Sequence, residues 1–394
     1  MTNAMEKLYD SPSLSRKEYT VPTDKQEEML KELNGRKDTE SSRMRRYLSM
    51  PDLSRTKESP IHSVIEDVIN LPILKGFDLI KTPEIVPADV SFDLFDFPQN
   101  HPARSTSDTY YVNSKNILRT HTTVMWYYYL LLEDIKKKLK TRVPIGVLSF
   151  GKVYRKDEID RNHMNTFHQI DGLYLCKTED HVITQKDLQD VLVEIAQSVF
   201  GEDIKYRFND DTFPYTNQSI EMEVDKGGKW VEILGAGVVQ PIVLEKLGVD
   251  SKQYNGWAFG FGLERLAIIS MELPDIRLLW SDDERVKKQL KLGNKFVEVS
   301  KYPPIVRDIS FVVKSNFIPN DYFDLVRETA PDLVEEVSVL DKYENAEKFG
   351  ENMISYAFRI TYRSTERTLT SEEVDTLHKK LETETSKIFD AKIR

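Results

Sequence analysis

The stretch YRKDEIDRNHMNTFHQIDG, residues 154–172, sets a highly charged segment between two apolar runs, VLSFGKV and LYL. If its second half is a strand, Phe167, Gln169 and Asp171 lie on one face, because side chains alternate along a strand. His168 then points to the opposite face. The stretch therefore predicts an antiparallel hairpin with one polar and aromatic face.

The two arms of this hairpin carry groups suited to a nucleotide. Residues 153–155 are expected to form one strand, with residues 156–166 as the loop that leads to the next. A guanidinium such as that of Arg155 grips phosphate oxygens, and an aromatic face such as that of Phe167 stacks on a base. A nucleotide site is predicted on the polar face.

A zinc site is the alternative interpretation of the two histidines in this stretch, His163 and His168. Zinc normally has three or four nitrogen, sulfur or oxygen ligands from the protein. Here one histidine is expected in the loop and the other in a strand, and the whole chain holds a single cysteine, Cys176. The nucleotide interpretation is favoured over the metal one.

Length and composition predict a globular protein of two domains that does not span a membrane. The chain has 394 residues, 40% of them hydrophobic, and its longest apolar run, residues 124–132, is far shorter than the roughly 20 residues that cross a bilayer. The single cysteine and early acids such as Glu6 predict a cytoplasmic location, with an organelle matrix as the alternative if this N-terminus is a processed form. The net charge of −10 excludes a general nucleic-acid coat, so any nucleic-acid contact must be local.

Patterning divides the chain into four parts. Residues 1–58 are expected to be a polar, partly disordered extension with a helix around residues 24–33. Alternating strands and helices follow over residues 59–285, and a charged linker over residues 286–300. Residues 301–394 show the order β-α-β-β-α-β, which is the ferredoxin-like arrangement. An α+β protein is predicted.

The small C-terminal sheet is expected to leave one face open to a partner. In SYAFRITYR, residues 355–363, the period of two places Arg359 and Arg363 on the face opposite the aromatic side chains. The two arginines are predicted to face that partner, and a purely solubilising role is the alternative.

The stretch GWAFGFGLERLAIISM, residues 256–271, predicts a strand followed at once by a helix. The strand would set its bulky aromatic side chains on one face and only Ala258, Gly260 and Gly262 on the other, so that a ligand can lie against the backbone. Arg265 falls in the first turn of the helix, where the helix dipole disfavours a cation. An anionic ligand is one explanation, and a salt bridge to an acid is the other.

A third stretch runs from FPYTNQSIEMEV to WVEILGAGVV. Phe213 and Tyr215 would project together, and Glu232 would precede a Gly-Ala-Gly turn. Carboxylates such as Glu221 and Glu232, placed near a phosphate-binding arginine, suit Mg²⁺, which prefers oxygen ligands and often bridges to phosphates. Aromatic pairs are more often core than pocket, so this stretch is informative only together with the others.

Together these stretches resemble class II aminoacyl-tRNA synthetases, and more narrowly the single-chain, mitochondrial-type phenylalanyl-tRNA synthetases. Similar segments run in the family's order from about residue 60 to the end: GFDLIKTPEIV, HPARSTSDTYY, LRTHTT, YRKDEIDRNHMNTFHQIDG, FPYTNQSIEMEV, WVEILGAGVV, GWAFGFGLERL, PDIRLLW, KYPPIVRDISF and FRITYRSTERTLTSEEV. The resemblance implies a class II catalytic domain, in which an antiparallel sheet is flanked by helices, and a ferredoxin-fold anticodon-binding domain. It implies ATP and Mg²⁺ as cofactors, L-phenylalanine and tRNA(Phe) as substrates, and no separate editing domain.

The resemblance also implies roles for individual residues. The catalytic residues that hold the ATP phosphates would be Arg155, His163 and Arg265. The other ATP contacts would be Asp157, Phe167 and Gly262. The amino acid would be bound by His121, Thr123, Gln169, Asp171, Phe213, Tyr215, Ala258 and Gly260. Mg²⁺ would be held by Glu221 and Glu232, and the tRNA contacted by Arg359 and Arg363.

Three positions depart from what the family usually has, which is Glu at Asp171, Phe at Tyr215 and, in many members, Gln at Trp126. Asp171 is one methylene shorter, and Tyr215 adds a phenol that needs a partner if buried. Besides a phenylalanine-tRNA ligase, the alternatives are therefore a ligase of the same fold for another aromatic or modified amino acid, and a non-catalytic RNA-binding paralogue. A monomer is expected, since one chain carries both domains, and a dimer is the alternative, because segments such as that around Pro83 form dimer interfaces in many class II enzymes.

Overall fold

The chain forms two compact units, Met1–Phe296 and Val297–Arg394. The computed structural model describes residues 16–141, 143–156 and 160–394. Within those ranges, no helix combines the length and the apolarity needed to cross a bilayer.

A large, mostly antiparallel sheet forms the centre of the first unit. Its strands are β1 (Glu18–Thr20), β2 (Asp78–Lys81), β5 (Ile145–Tyr154), β6 (Thr166–Lys177), β7 (Tyr206–Asp210), β8 (Thr216–Lys226), β9 (Lys229–Val239) and β10 (Tyr254–Gly262). A separate two-stranded sheet consists of β3 (Ile85–Pro87) and β4 (Asn116–Leu118). In the described part of the chain, the large sheet has the order β1-β2-β5-β6-β10-β9-β8-β7. In this order, the pairs β1–β2 and β2–β5 are parallel, and every later pair is antiparallel.

The described residues of the first unit also form α-helices. They are α1 (Asp24–Asn34), α2 (Thr39–Ser49), α3 (Pro60–Ile69), α4 (Ala88–Ser91), α5 (Met125–Leu130), α6 (Glu133–Lys140), α7 (Gln185–Phe200), α8 (Pro241–Lys246), α9 (Leu263–Met271) and α10 (Glu284–Lys287). The sequence explains α7 well, because Thr184 and Asp187 form a capping box and the apolar side chains recur at helical spacing and are buried.

The hairpin predicted from residues 154–172 is confirmed. Strands β5 and β6 are antiparallel, with Tyr154 opposite Thr166 and Ser149 opposite Asp171. The predicted strand-to-helix succession from β10 to α9 is confirmed as well. These two segments place the residues of the candidate site on neighbouring strands, because β10 pairs with β6.

The described part of the polar N-terminal extension, residues 16–58, is folded onto the first unit. The predicted helix is present as α1, and the Ser/Arg-rich stretch after it, for which no element was predicted, forms α2. Leu33 and Met44 are 0% and 1% exposed in a cluster with Ile85 and Tyr110. A few well-spaced apolar residues are enough to dock this otherwise polar segment.

The Gly-Ala-Gly turn predicted after Glu232 is wrong, because these residues lie inside strand β9. Glycine is needed here for space rather than for turning. A Cβ on Gly235 would lie 2.7 Å from the ring of Phe213, and one on Gly237 would lie 2.5 Å from the side chain of Thr216. The glycines let these two side chains lie against the backbone of β9.

The second unit has the predicted ferredoxin-like order. Its elements are β11 (Ile305–Lys314), α11 (Pro319–Thr329), β12 (Val334–Glu344), α12 (Ala346–Phe349), β13 (Met353–Tyr362), α13 (Ser371–Phe389) and β14 (Lys392–Ile393). The sheet order is β12-β13-β11-β14. The aromatic side chains of β13 are buried in a common core, and the predicted capping box between Thr370 and Glu373 is present at the start of α13.

Candidate active site

A cavity of about 620 Å³ lies over strands β6, β9 and β10 of the first unit. Its wall contains most of the predicted site residues, namely Thr123, Arg155, His163, Phe167, Gln169, Asp171, Phe213, Tyr215, Glu232, Ala258, Gly260, Gly262 and Arg265. His121 and Glu221 do not belong to the wall, and Asp157 lies outside the described residues. The fold thus gathers residues from distant parts of the sequence around one space.

The floor of the cavity is the smooth face of β10. Ala258, Gly260 and Gly262 all line it, as the period of two predicted. A Cβ on Gly262 would come within 4.0 Å of the ring of Phe167 on the neighbouring strand. Because these positions carry almost no side chain, a flat ligand has room against the backbone.

One end of the cavity is built to hold an anion beside a flat ring. The guanidinium carbon of Arg155 lies 5.2 Å from the ring centroid of Phe167, and its Nε donates to the carbonyl oxygen of Thr120 at 3.0 Å. The guanidinium of Arg265 lies 3.2 Å from a carboxylate oxygen of Glu232, and both side chains are nearly half exposed. The predicted alternative of a salt bridge at Arg265 is therefore present, but an exposed pair of this kind is weak and an anion can compete for the arginine.

His163 lies at the mouth of this end. Its side chain is 49% exposed, and Nδ1 lies 2.9 Å from Oδ1 of Asp160. Asp160 also accepts from the backbone N–H groups of Asn162 and His163, and these bonds lower the pKa of its carboxyl group. An anchored imidazole at the mouth is well placed to meet a ligand that enters from solvent.

A buried carboxylate marks the other end. Asp171 is 4% exposed, and it accepts hydrogen bonds from the hydroxyl groups of Thr122 and, at 2.5 Å, Thr123. Burial raises the pKa of Asp171 to about 6, although the two threonines and Arg155 act in the opposite direction. Such a carboxylate is charged at neutral pH and suits a cationic group of a ligand.

Register across the sheet explains why this carboxylate fits. Asp171 pairs with Gly260, and Gly260 pairs in turn with Gly235. A Cβ on Gly260 would lie 2.8 Å from Oδ1 of Asp171. The glycine opposite Asp171 is therefore needed for the carboxylate to lie where it does.

Aromatic rings enclose the space beside Asp171. Phe213 and Tyr215 are stacked with their centroids 6.0 Å apart, and Tyr215 meets Trp126 edge-on at 6.1 Å and Phe95 edge-on at 5.9 Å. Burial and the charge of Asp171 raise the pKa of the Tyr215 phenol. An apolar ring with a cationic group attached fits this end of the cavity.

Two polar atoms of the wall are buried without a hydrogen-bond partner in the described part of the chain. They are Oε1 of Gln169 and Nε1 of Trp126. A buried polar group of this kind costs about 1–3 kcal/mol if it is left unpaired. A ligand in the cavity is the natural partner for both atoms.

His121 is behind the wall rather than on it. Its Nε2 lies 3.1 Å from the carbonyl oxygen of Ser91, and its ring is stacked on Phe97. Burial and the nearby Arg155 lower the pKa of His121 to about 3, so the ring is neutral. From this position His121 can support the wall but does not line the ligand space.

The predicted Mg²⁺ ligands are not brought together. Glu232 lines the cavity beside Arg265. Glu221 does not line it, and its carboxylate accepts a hydrogen bond of 3.0 Å from Nδ2 of Asn209. Within the described ranges, no three His, Cys, Asp or Glu side chains are grouped so as to hold a metal ion. Glu232 alone fits a cation that takes its other ligands from phosphates.

Sequence reasoning missed the role of His168 in supporting the site. The residue does face away from the cavity, but it is fully buried and its Nδ1 lies 2.6 Å from Oε1 of Glu264. A histidine on the apolar face of the predicted strand and an acid directly before Arg265 in an apolar helix were the available signals, since such groups need partners when they are buried.

Comparison with known proteins agrees with this geometry. Residues 47–290 match the family described as tRNA synthetases class II core domain (F), and residues 300–394 match the ferredoxin-fold anticodon-binding domain. The fold, the cavity and these matches define a class II aminoacyl-tRNA synthetase.

Similar curated proteins narrow the family further. The chloroplastic/mitochondrial phenylalanine-tRNA ligase of Arabidopsis thaliana is 38% identical over 79% of this chain and 71% of its own length. The mitochondrial phenylalanine-tRNA ligase of Mus musculus is 36% identical over 78% of this chain and 72% of its own length. The alpha subunit of the phenylalanine-tRNA ligase of Persephonella marina is 38% identical over 59% of this chain and 67% of its own length. The chain belongs to the phenylalanine-tRNA ligase family, and it is an aminoacyl-tRNA ligase.

Proposed function

We propose that this enzyme activates L-phenylalanine with ATP and Mg²⁺ and transfers it to tRNA(Phe). The observation that carries the proposal is the division of one cavity into an arginine-bearing end and a carboxylate-bearing aromatic end. Asp171 and Gln169 suit the α-ammonium group, Phe213 and Tyr215 the ring, and Arg155 and Arg265 the phosphates. The names of the similar proteins support the same substrates.

The chemistry has two steps. The carboxylate of phenylalanine attacks the α-phosphorus of ATP, the bond to the β-phosphate oxygen breaks, and pyrophosphate leaves with the aminoacyl-adenylate formed. A terminal ribose hydroxyl of the tRNA then attacks the carbonyl carbon, and AMP leaves with the hydroxyl proton lost to solvent. Positioning and charge stabilisation by Arg155 and Arg265 supply most of the acceleration. Mg²⁺, when bound beside Glu232, would neutralise phosphate charge.

The second unit is proposed to bind the tRNA anticodon. Arg359 lies on the open face of its sheet and is held by Asp308 through two bonds of 2.8 Å, and Arg363 is held by Glu335 at 2.9 Å. These contacts orient both guanidinium groups, and the pair formed by Arg359 is exposed, so that a phosphate can compete for it.

We propose a monomer, since one chain carries both functions. Sedimentation in the absence of tRNA tests it.

The compartment is part of the proposal. Both animal and plant relatives named above carry mitochondrial names, which supports the organelle alternative over the cytoplasm. Imaging of the chain fused at its C-terminus to a fluorescent protein in its own cells distinguishes the two.

Exchange of labelled pyrophosphate into ATP tests the amino acid. We expect phenylalanine to support exchange at the lowest KM among the aromatic amino acids. A second candidate, an amino acid with a polar ring substituent, is favoured by Nε1 of Trp126 and the phenol of Tyr215, which could bond to such a group. In Tyr215→Phe, loss of one phenol bond is expected to raise the KM of a ring-hydroxylated substrate about fivefold and to leave that of phenylalanine within twofold.

Each outcome of the exchange assay bears on a different alternative. A parent enzyme that exchanges with another amino acid but not with phenylalanine would contradict the proposal. A Tyr215→Phe, Asp171→Glu double variant with an unchanged ranking of substrates would show that these two departures do not set specificity. A parent that supports no exchange with any amino acid would leave the non-catalytic paralogue.

Gly260→Ala is expected to raise the KM for phenylalanine about tenfold or more. The added Cβ would lie 2.8 Å from Oδ1 and 3.2 Å from Oδ2 of Asp171, and the two threonines that hold the carboxylate leave it little room to move. Misplacement of a substrate-binding group by about 1 Å is enough for such a loss. The matched control is Gly76→Ala, since a Cβ on Gly76 would meet nothing within 4 Å. An unchanged KM in Gly260→Ala would remove Asp171 from the ammonium site.

A further inference from the structure

Residues 47–55, which comprise the end of α2 and the segment that follows it, contact strand β5 of the nucleotide-binding hairpin. We call them the N-terminal brace. Lys152 of β5 fixes it, since its buried ammonium group donates to the carbonyl oxygens of Leu48 and Met50 at 2.8 Å each. Arg55 fixes its other end, donating to the carbonyl oxygen of Phe150 at 3.1 Å. The brace is thus bound to the hairpin along its length.

The first contact of the brace reaches Arg155 through one residue. The phenol of Tyr47 donates to Oδ1 of Asn165 at 2.8 Å, and both side chains are buried. Nδ2 of Asn165 donates to the carbonyl oxygen of Arg155 at 3.1 Å, and the backbone N–H of Arg155 donates to the carbonyl oxygen of Asn165 at 3.0 Å. Tyr47 therefore fixes the amide orientation of the residue that holds the Arg155 backbone.

The second contact reaches Phe167 and Arg265. The backbone N–H of Leu53 donates to Nε2 of His168 at 2.9 Å, so that the ring proton lies on Nδ1, which donates to Oε1 of Glu264 at 2.6 Å. The backbone N–H of His168 donates to both oxygens of Glu264 at 2.9 Å. His168 follows Phe167 and Glu264 precedes Arg265. One buried imidazole thus connects the strand and the helix that present two nucleotide contacts.

We propose that the N-terminal brace is a positioning element for ATP, acting through Tyr47–Asn165 and Leu53–His168–Glu264; the inference rests on the proposed function. The first contact ends on the backbone of Arg155 itself, and the second ends on His168 and Glu264, which adjoin Phe167 and Arg265 in the sequence. At the amino-acid end, Gln169 adjoins His168 in the sequence, but Asp171 is held by Thr122, Thr123 and Gly260, which the two chains of contacts do not include. Loosening the brace should therefore weaken ATP binding selectively, because small displacements of oriented groups have large effects.

Tyr47→Phe tests the first contact. We expect a KM for ATP, and a Kd for ATP by calorimetry, raised about fivefold, with the KM for phenylalanine within twofold of the parent. The matched control is Tyr19→Phe, which removes another N-terminal phenol bond, that to Asp134, and strand β2 separates the strand of Tyr19 from the hairpin. Tyr19→Phe should lower Tm by a similar amount and leave both constants unchanged. An equal rise in both KM values, or none in that for ATP, would overturn the proposal.

A double-mutant cycle shows whether Tyr47 acts through Asn165. In an Asn165→Ala background, Tyr47→Phe should have no further effect on the Kd for ATP, whereas fully additive effects would overturn the relay.

Leu53→Pro and Leu53→Ala are the two variants that test the second contact. Proline lacks the backbone N–H that donates a hydrogen bond to His168, whereas alanine keeps it. Proline is also tolerated here, because residue 53 is the first residue of a helical turn. Only Leu53→Pro should weaken ATP binding beyond the effect of truncation, and equal effects would argue against the second contact.

The proposed function and the role of the N-terminal brace can be contradicted separately. Absence of phenylalanine-dependent exchange in the parent would contradict the proposed function. The calorimetric Kd for ATP still tests the brace in that case, because it needs no amino acid.

Discussion

Replacement of Arg155 by alanine is expected to lower the kcat of phenylalanine-dependent pyrophosphate exchange about a thousandfold. The guanidinium lines the cavity, lies over Phe167 and is oriented by the carbonyl oxygen of Thr120, which holds its charge at the ligand space. Charge that develops on the α-phosphate as pyrophosphate leaves would lose a fixed partner. Arg155→Lys should recover only a small part of the rate, because an ammonium group cannot form two parallel bonds to a phosphate.

Arg277→Ala is the matched control. Arg277 follows Ile276, a residue of the cavity wall, and its guanidinium is mostly exposed in a pair with Asp275. Its removal should change exchange by less than twofold. Folding of each variant is checked by Tm and circular dichroism. An Arg155→Ala enzyme that is folded and retains a tenth or more of the parental rate would contradict the assigned role of Arg155.

Local sequence patterns predict much of this site because the two decisive strands have a strict period of two. The alternation in β6 predicts that Gln169 and Asp171 share a face, and the alternation in β10 predicts a floor of Ala258 and Gly260. The fit between Asp171 and Gly260, however, depends on the register between two strands. Register is set by the pairing of whole strands and cannot be read from either one alone.

Contacts between distant residues explain what sequence reasoning missed. Tyr47 and Asn165 are 118 residues apart, and His168 and Glu264 are 96 residues apart. No local pattern links such pairs, and a polar segment with few apolar residues resembles a disordered extension. Trp126 belongs to a continuous apolar run, so only the folded chain shows that its buried Nε1 lacks a partner among the described residues and that its ring lines the cavity.

The opposed ends of the cavity also account for the direction in which the substrate must lie. Phenylalanine carries a cation and a nucleophilic carboxylate on the same carbon. If its ammonium group binds Asp171, its carboxylate points along the floor of β10 toward Arg155 and the α-phosphate. The two charged ends thus impose an orientation in which the reacting atoms approach each other, and such positioning lowers the barrier of the reaction.

Asp171→Asn is expected to raise the KM for phenylalanine about a hundredfold at pH 8, which corresponds to loss of a buried charged hydrogen bond of about 2–3 kcal/mol. In the parent, the KM should rise as the pH falls through about 6, because burial raises the pKa of Asp171 to that value and the protonated carboxyl no longer attracts an ammonium group. The asparagine variant has no charge to lose. Its KM should be the same at pH 5.5 and pH 8.

Stability should change in the opposite direction. A carboxyl whose pKa is raised in the folded state favours folding in its protonated form, and this contribution is lost as the pH rises through about 6. At pH 8 the charged Asp171 therefore destabilises the fold by an amount on the order of 3 kcal/mol, and Asp171→Asn should raise Tm at pH 8 but not at pH 4. Thr122 and Thr123 can still bond to the amide, since a hydroxyl both donates and accepts. An asparagine variant with a lower Tm at pH 8 would show that this carboxylate is held for the fold, whereas a more stable enzyme with a weakened, pH-independent KM would show that it is held for the substrate.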